Sequence, residues 1–180
     1  MVKKGSPTKE VFLEHKRKKK WVNKDGRCGF ILYPRSLFIT WGNTQYWSWN
    51  CFKETSDDNI EVAKLLSVCW LDVRGKLAMS ELTSGVTYEG AYLVKLTKSS
   101  AGWELPIALR LSVPGEEAKV RQVSLFGKPK GEWFELNLGS FMAKPDEEGE
   151  VGFDLFEHGG HWKSGLIIKA VIVRPKHQIN

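Results

Sequence analysis

Four aromatic side chains crowd around one short polar turn. In residues 28–50, CGFILYPRSLFITWGNTQYWSWN, an apolar run ends at Gly42, Asn43 and Thr44, and Trp41, Tyr46, Trp47 and Trp49 surround that turn. Gly, Asn and Thr favour turns, so the rings are expected on or beside a loop. Flat apolar faces next to polar groups suit a sugar ring, a nucleic-acid base or a partner groove. A second reading stays open: a core corner in a β-rich domain, where Trp is simply a large buried residue.

Acidic residues gather at Asp146, Glu147, Glu148 and Glu150, with Asp154 and Glu157 beyond. Two carboxylates about 5–10 Å apart can hydrolyse a glycoside. Glu150 and Glu157 are seven residues apart, roughly 23 Å on a straight strand and on opposite faces, which argues against such a pair. Single carboxylates still accept hydrogen bonds from hydroxyl groups. His158-Gly159-Gly160-His161 offers two imidazoles, but a metal needs further ligands and the glycines read as a hairpin turn. The sequence holds no nucleophile elbow, phosphate-cradling glycine loop or zinc-protease motif. No metal, no other cofactor and no catalysis are expected.

The elements that must position these groups are mostly strands. Residues 37–41 are rich in aromatic and β-branched types. In 68–77, Cys69, Leu71 and Val73 alternate with Trp70, Asp72 and Arg74. Ile107, Leu109, Leu111 and Val113 alternate likewise, as do Phe134, Leu136 and Leu138, and Val151, Phe153 and Leu155. Residues 88–96 form another strand candidate. Residues 166–173 are nearly continuous apolar, the pattern of a strand buried on both faces or at a dimer seam. Residues 57–66 open with Asp57, Asp58 and Asn59 and have near-helical apolar spacing, so one short helix is expected there. Seven to nine short strands with turns such as Pro114-Gly115 and 128–131 indicate an all-β fold, a β-sandwich or jelly roll.

The net charge of +6 is unevenly placed. Residues 1–27 hold ten Lys and Arg against three acidic residues, +7; the rest holds seventeen against eighteen, −1. Residues 1–26 are expected to be a basic, disordered N-terminal extension, and 27–180 the folded domain. Lys16, Arg17, Lys18, Lys19 and Lys20 form a dense basic block, read as a nuclear import signal, an anionic-surface contact or a solubilising tail. The near-neutral domain weighs against nucleic acid as a partner. No apolar run approaches the ~20 residues of a membrane helix. The charged N-terminus lacks a signal-peptide core. Cys28, Cys51 and Cys69, an odd number, suit free thiols in a reducing compartment.

The ordered segments RSLFITWG (35–42), QYWSW (45–49), VCWLDVRGK (68–76), AYLVKL (91–96), WFEL (133–136) and WKSGLII (162–168) carry a resemblance. Together they resemble the phloem protein 2 family of plant lectins over about residues 28–176. The resemblance implies a β-sandwich lectin-like domain that binds N-acetylglucosamine oligomers or N-glycan cores without catalysis. It implies glycans or glycoproteins as partners, a cytoplasmic and nuclear location, and a dimer as a common state. Its sugar-site tryptophans fall on Trp41 and Trp47, and two of its acidic site residues on Glu150 and Glu157, with Asn43 or Tyr46 beside them. The turn between Trp41 and Trp47 is one residue shorter than the family form and lacks its proline. The rival readings are a member of the family that has lost sugar binding and serves as a structural or adaptor protein, and weak nucleic-acid binding through the basic tail.

Overall fold

The computed structural model describes residues 9–50, 60–144 and 146–176. Its strands are β1 (Lys9–Leu13), β2 (Lys18–Val22), β3 (Cys28–Leu32), β4 (Phe38–Ile39), β5 (Trp47–Asn50), β6 (Val62–Leu65), β7 (Leu71–Ala78), β8 (Thr87–Ala101), β9 (Ile107–Ser112), β10 (Lys119–Val123), β11 (Trp133–Met142), β12 (Glu150–Glu157) and β13 (Ser164–Pro175). They form two antiparallel sheets. The eight-stranded sheet runs β1-β2-β3-β13-β6-β5, with β8 on the other side of β13 and β11 beyond it. The five-stranded sheet runs β10-β9-β12-β7-β4. This is the expected all-β sandwich.

Alternation sets the core. Leu71, Val73 and Leu77 of β7, Leu109 and Leu111 of β9, and Val151, Phe153 and Leu155 of β12 are almost fully buried. They face Tyr88, Tyr92, Val94 and Leu96 of β8 in one hydrophobic cluster. The near-continuous apolar run 166–173 becomes β13, the central strand, paired with β8 on one side and with β3 and β6 on the other. The Tyr92 hydroxyl donates to the Phe153 carbonyl at 2.6 Å, so a polar atom in the core ties the two sheets together and leaves no orphaned donor. Gly90 belongs to the same seam. A Cβ there would stand 2.9 Å from the Phe153 ring, so only glycine lets β8 pass this close.

Two expectations are corrected. The segment 9–22 is not a disordered tail but the hairpin β1–β2, which extends the large sheet by pairing with β3. Its lysines have partners. Lys18 is buried with its ammonium 2.8 Å from Glu81, and Lys19 lies 3.4 Å from Glu10. Lys18 and Lys20 also stand over the Phe30 ring, and Lys19 over Phe12. Like charge that finds carboxylates and ring faces no longer forces the chain into solvent. Nor is the described part of the helix candidate, residues 60–66, helical. Residues 57–59 lie outside the described residues, and Val62–Leu65 is strand β6, fitted between β5 and β13. Val62, Ala63 and Leu65 are wholly buried there, and a sheet slot overrides a weak helical pattern.

Candidate functional site

The turn after β4 crosses from the edge of the small sheet to β5 at the edge of the large one. Asn43 builds it. Its carbonyl accepts from the Tyr46 and Trp47 amides at 3.1 and 3.0 Å, and its side-chain oxygen accepts from the Gln45 amide at 3.2 Å. Trp41 opens the turn with a left-handed backbone, φ +57°, unusual for so large a residue. The indole is 55% exposed and meets the Tyr46 ring edge-on, centroids 5.9 Å apart. Trp47 points the other way. It is 1% exposed and belongs to the core. The spacing of two within β5 explains the rest: Trp49 shares the Trp47 face but is half-buried, its Nε1 donating to the Gly42 carbonyl at 2.9 Å.

An open groove of about 330 Å³ runs beside this turn, lined by Arg35, Leu37, Phe38, Ile39, Gly42 and Trp49. The Arg35 guanidinium lies over the Trp49 ring at 3.9 Å and forms an ion pair with Glu61. Phe38 is 71% exposed. The groove is open to solvent, with aromatic and aliphatic side chains in its walls and one charged pair at its rim.

The two glutamates are at opposite ends of β12. Glu150 pairs in register with Ala78 and Glu157 with Leu71, along one unbroken strand. Glu150 lies 3.6 Å from Lys76 in solvent. Glu157 is at the Trp41 end, because the Thr40 amide bonds the Asp72 carbonyl on β7, next to Leu71. Two strand spacings, roughly 10 Å, separate the Trp41 and Glu157 backbones. The Glu157 carboxylate is occupied, however. It lies 2.7 Å from Lys163 Nζ, accepts from the Gly159 amide at 3.0 Å, and stands 3.4 Å from His161. Burial raises its pKa, but Lys163, the Gly159 amide and His161 outweigh burial and hold it below the ordinary value. The Lys163 side chain is wholly buried and donates further to the carbonyls of Cys69, Gly159 and His161. Glu157 therefore staples the loop 158–163. His158 engages a different carboxylate, Asp72, at 2.8 Å.

The profile of the family described as Phloem protein 2 matches residues 27–175. The chain belongs to the phloem protein 2 family. It is 38% identical over 171 residues to Protein PHLOEM PROTEIN 2-LIKE A1 of Arabidopsis thaliana, covering 92% of this chain and 70% of that one. It is 37% identical over 172 residues to a protein named Lectin from Luffa acutangula, covering 94% and 81%. A protein named Lectin from Coccinia grandis is 33% identical over 141 residues, covering 77% and 89%. Among solved structures, a Podospora anserina GH26-CBM35 β-(1,4)-mannanase matches with TM-score 0.52 and 6% identity, over 84% of this chain and 28% of that one. At that identity the likeness concerns the fold.

In this phloem protein 2 domain, then, the sequence-expected site residues part company. Trp41, Tyr46 and Asn43 share one exposed turn. Trp47 lies beneath it in the core, Glu157 is locked into a loop, and Glu150 is at the far end of its strand. Sequence reasoning passed over Phe38, Trp70 and Trp162, all exposed. For Trp70 the signal was there: alternation in 68–77 put it on the face opposite Cys69 and Leu71. The basic block Lys16, Arg17, Lys18, Lys19 and Lys20 spans the β1–β2 turn and strand β2, with Lys18 buried. Cys28 and Cys69 are free thiols; Cys51 lies outside the described residues.

Proposed function

We propose that this chain is a non-catalytic carbohydrate-binding domain whose ligand is an N-acetylglucosamine oligomer or N-glycan core, held at the Trp41 edge of the sandwich. Membership of the phloem protein 2 family and the relatives named lectins support carbohydrate binding. The observation that carries the location is Trp41, an exposed indole in a left-handed backbone, one residue before Gly42 of the open groove. Backbone strain of this kind persists where the surrounding structure enforces it and clusters at ligand sites.

The Trp41 face stacks on the apolar face of a hexosamine, with Tyr46 fixing the indole from its edge. Phe38 and Ile39 offer a wall to the N-acetyl methyl. Asn43 and Arg35 supply hydrogen-bonding groups for ring hydroxyls and the acetyl carbonyl. One shallow site binds weakly, so avidity comes from several sites on one glycoprotein or from a homodimer. Residence in the cytoplasm and nucleus is part of the same proposal. Lys18 is held by Glu81, so an import receptor reading that block has to open the hairpin.

Calorimetric titration of the full chain with N-acetylglucosamine trisaccharide tests the reading. Trp41→Ala should lower affinity about tenfold, a loss of 1.4 kcal/mol, with an unchanged circular dichroism spectrum. Wild-type affinity in the variant would refute the site. Absence of binding to any glycan in an array screen of the wild type would leave the structural or adaptor reading instead.

A further inference from the structure

A row of stacked planar groups crosses the outer face of the small sheet, away from the groove. Trp70, just before β7, lies flat on the His158 imidazole, centroids 3.6 Å apart and planes 3° from parallel. The imidazole also packs on the Phe156 ring at 5.1 Å, and the Arg110 guanidinium covers Phe156 at 4.9 Å. Two buried carboxylates pin the row. Asp72 Oδ2 is 2.8 Å from His158 Nε2, and Asp154 Oδ2 is 2.8 Å from Arg110 Nε. Asp72 is itself held by Arg74 through Nε at 2.9 Å. His158 is thereby fixed both in plane and in position, and it fixes Trp70. Yet Trp70 remains 46% exposed.

An exposed indole seldom receives this much support. Side chains that are already ordered lose little conformational entropy when a ligand stacks on them, so such a ring is pre-organised for binding. Its place in the fold names the ligand. Asp72 bonds the backbone of Thr40, the residue before Trp41, and Trp70 is two residues before Asp72. Both exposed indoles therefore stand at one end of β7, one at the sheet edge and one on its outer face.

We propose that Trp70 is a second stacking platform for the glycan that Trp41 engages, so that the site takes a chain of sugar units and not a single hexosamine. His158 and Asp72 are positioning residues for that platform. The inference rests on the lectin reading above and adds a second contact to it.

The test is a length series: N-acetylglucosamine mono-, di- and trisaccharide titrated calorimetrically into the full chain and its variants. Wild-type affinity should rise with length. Trp70→Ala should leave monosaccharide affinity unchanged and weaken the trisaccharide about three- to tenfold, the range expected for one aromatic contact. Trp41→Ala should weaken every length. His158→Ala should lose part of the length gain, and His158→Phe, which keeps a flat ring under the indole but loses the bond to Asp72, should restore it only in part. Thermal melts confirm that each variant is folded. Wild-type trisaccharide affinity in Trp70→Ala, or an equal loss at every length, overturns the second platform while leaving the lectin reading standing. A wild type that binds no glycan overturns both.

Discussion

Trp41 and Trp47 make opposite predictions although they lie only six positions apart in the sequence. Trp47→Ala removes an indole that is 1% exposed and packed in the main core cluster. Truncating a buried Trp to Ala costs about 3–5 kcal/mol, the transfer term plus the cavity. The indole Nε1 has no hydrogen-bond partner among the described residues, so the loss is one of packing. Against a total stability of about 5–15 kcal/mol this is a large fraction. At about 2–4 °C per kcal/mol for a chain of this size, the melting midpoint should fall by roughly 6–20 °C. Trp41 is half in solvent and backbone-strained, so Trp41→Gly should leave the midpoint unchanged or raise it, by about 2–4 °C if about 1 kcal/mol of strain is relieved in full. Thermal melts followed by circular dichroism, with glycan titration at low temperature on the folded fraction, separate the two. Trp47→Ala should lose stability first and affinity only as it unfolds; Trp41→Gly should lose affinity alone. A Trp47→Ala midpoint within a degree or two of wild type, or marked unfolding of Trp41→Gly, would refute the division between core and surface.

Deleting residues 1–26 should lower the melting midpoint and promote association, since it strips β2 from β3, leaves a bare strand edge and removes the lysine partner of Glu81; an unchanged melt would return the segment to a mere tail. Stability should fall in acid. Burial raises the Asp72 and Glu157 carboxyls, but Arg74 and His158 hold Asp72, and Lys163, the Gly159 amide and His161 hold Glu157, below their ordinary values of 3.8 and 4.5. The unfolded chain therefore takes up these protons first, and the contribution present at neutral pH disappears as pH drops through about 4 and below. Asp72→Asn and Glu157→Gln should each flatten that limb in melts from pH 7 to 3. Glycan affinity should change little between 50 and 200 mM salt, because stacking and neutral hydrogen bonds release few counterions, whereas six to ten phosphate contacts would lose about 10³–10⁵. Glu150→Gln should bind trisaccharide as wild type does, and a tenfold loss would mean the far end of β12 reaches the ligand.

Strands β7, β9 and β12 of the small sheet, and β13, were legible because alternation and unbroken apolar runs are local signals that the fold keeps; the exposed edge strand β10 carries neither signal and was not. Leu71 and Val73, Leu109 and Leu111, and Phe153 and Leu155 are where period two puts them. Two signals misled, for one physical reason. The basic block reads as solvated because sequence shows charge and not the partner, and Glu81 lies 63 residues from Lys18. The stretch 57–66 reads as helical because its apolar spacing is local, whereas one wall of the slot that β6 fills, strand β13, lies over a hundred positions away. The site follows the same rule. Strand geometry, applied to bare spacing, already separated Glu150 from Glu157, and the structure keeps them at opposite ends of β12. What spacing could not separate was Trp41 from Trp47. The left-handed backbone at Trp41 and the entry into β5 at Trp47 decide which indole meets solvent, and both depend on the two sheet edges that the turn must join.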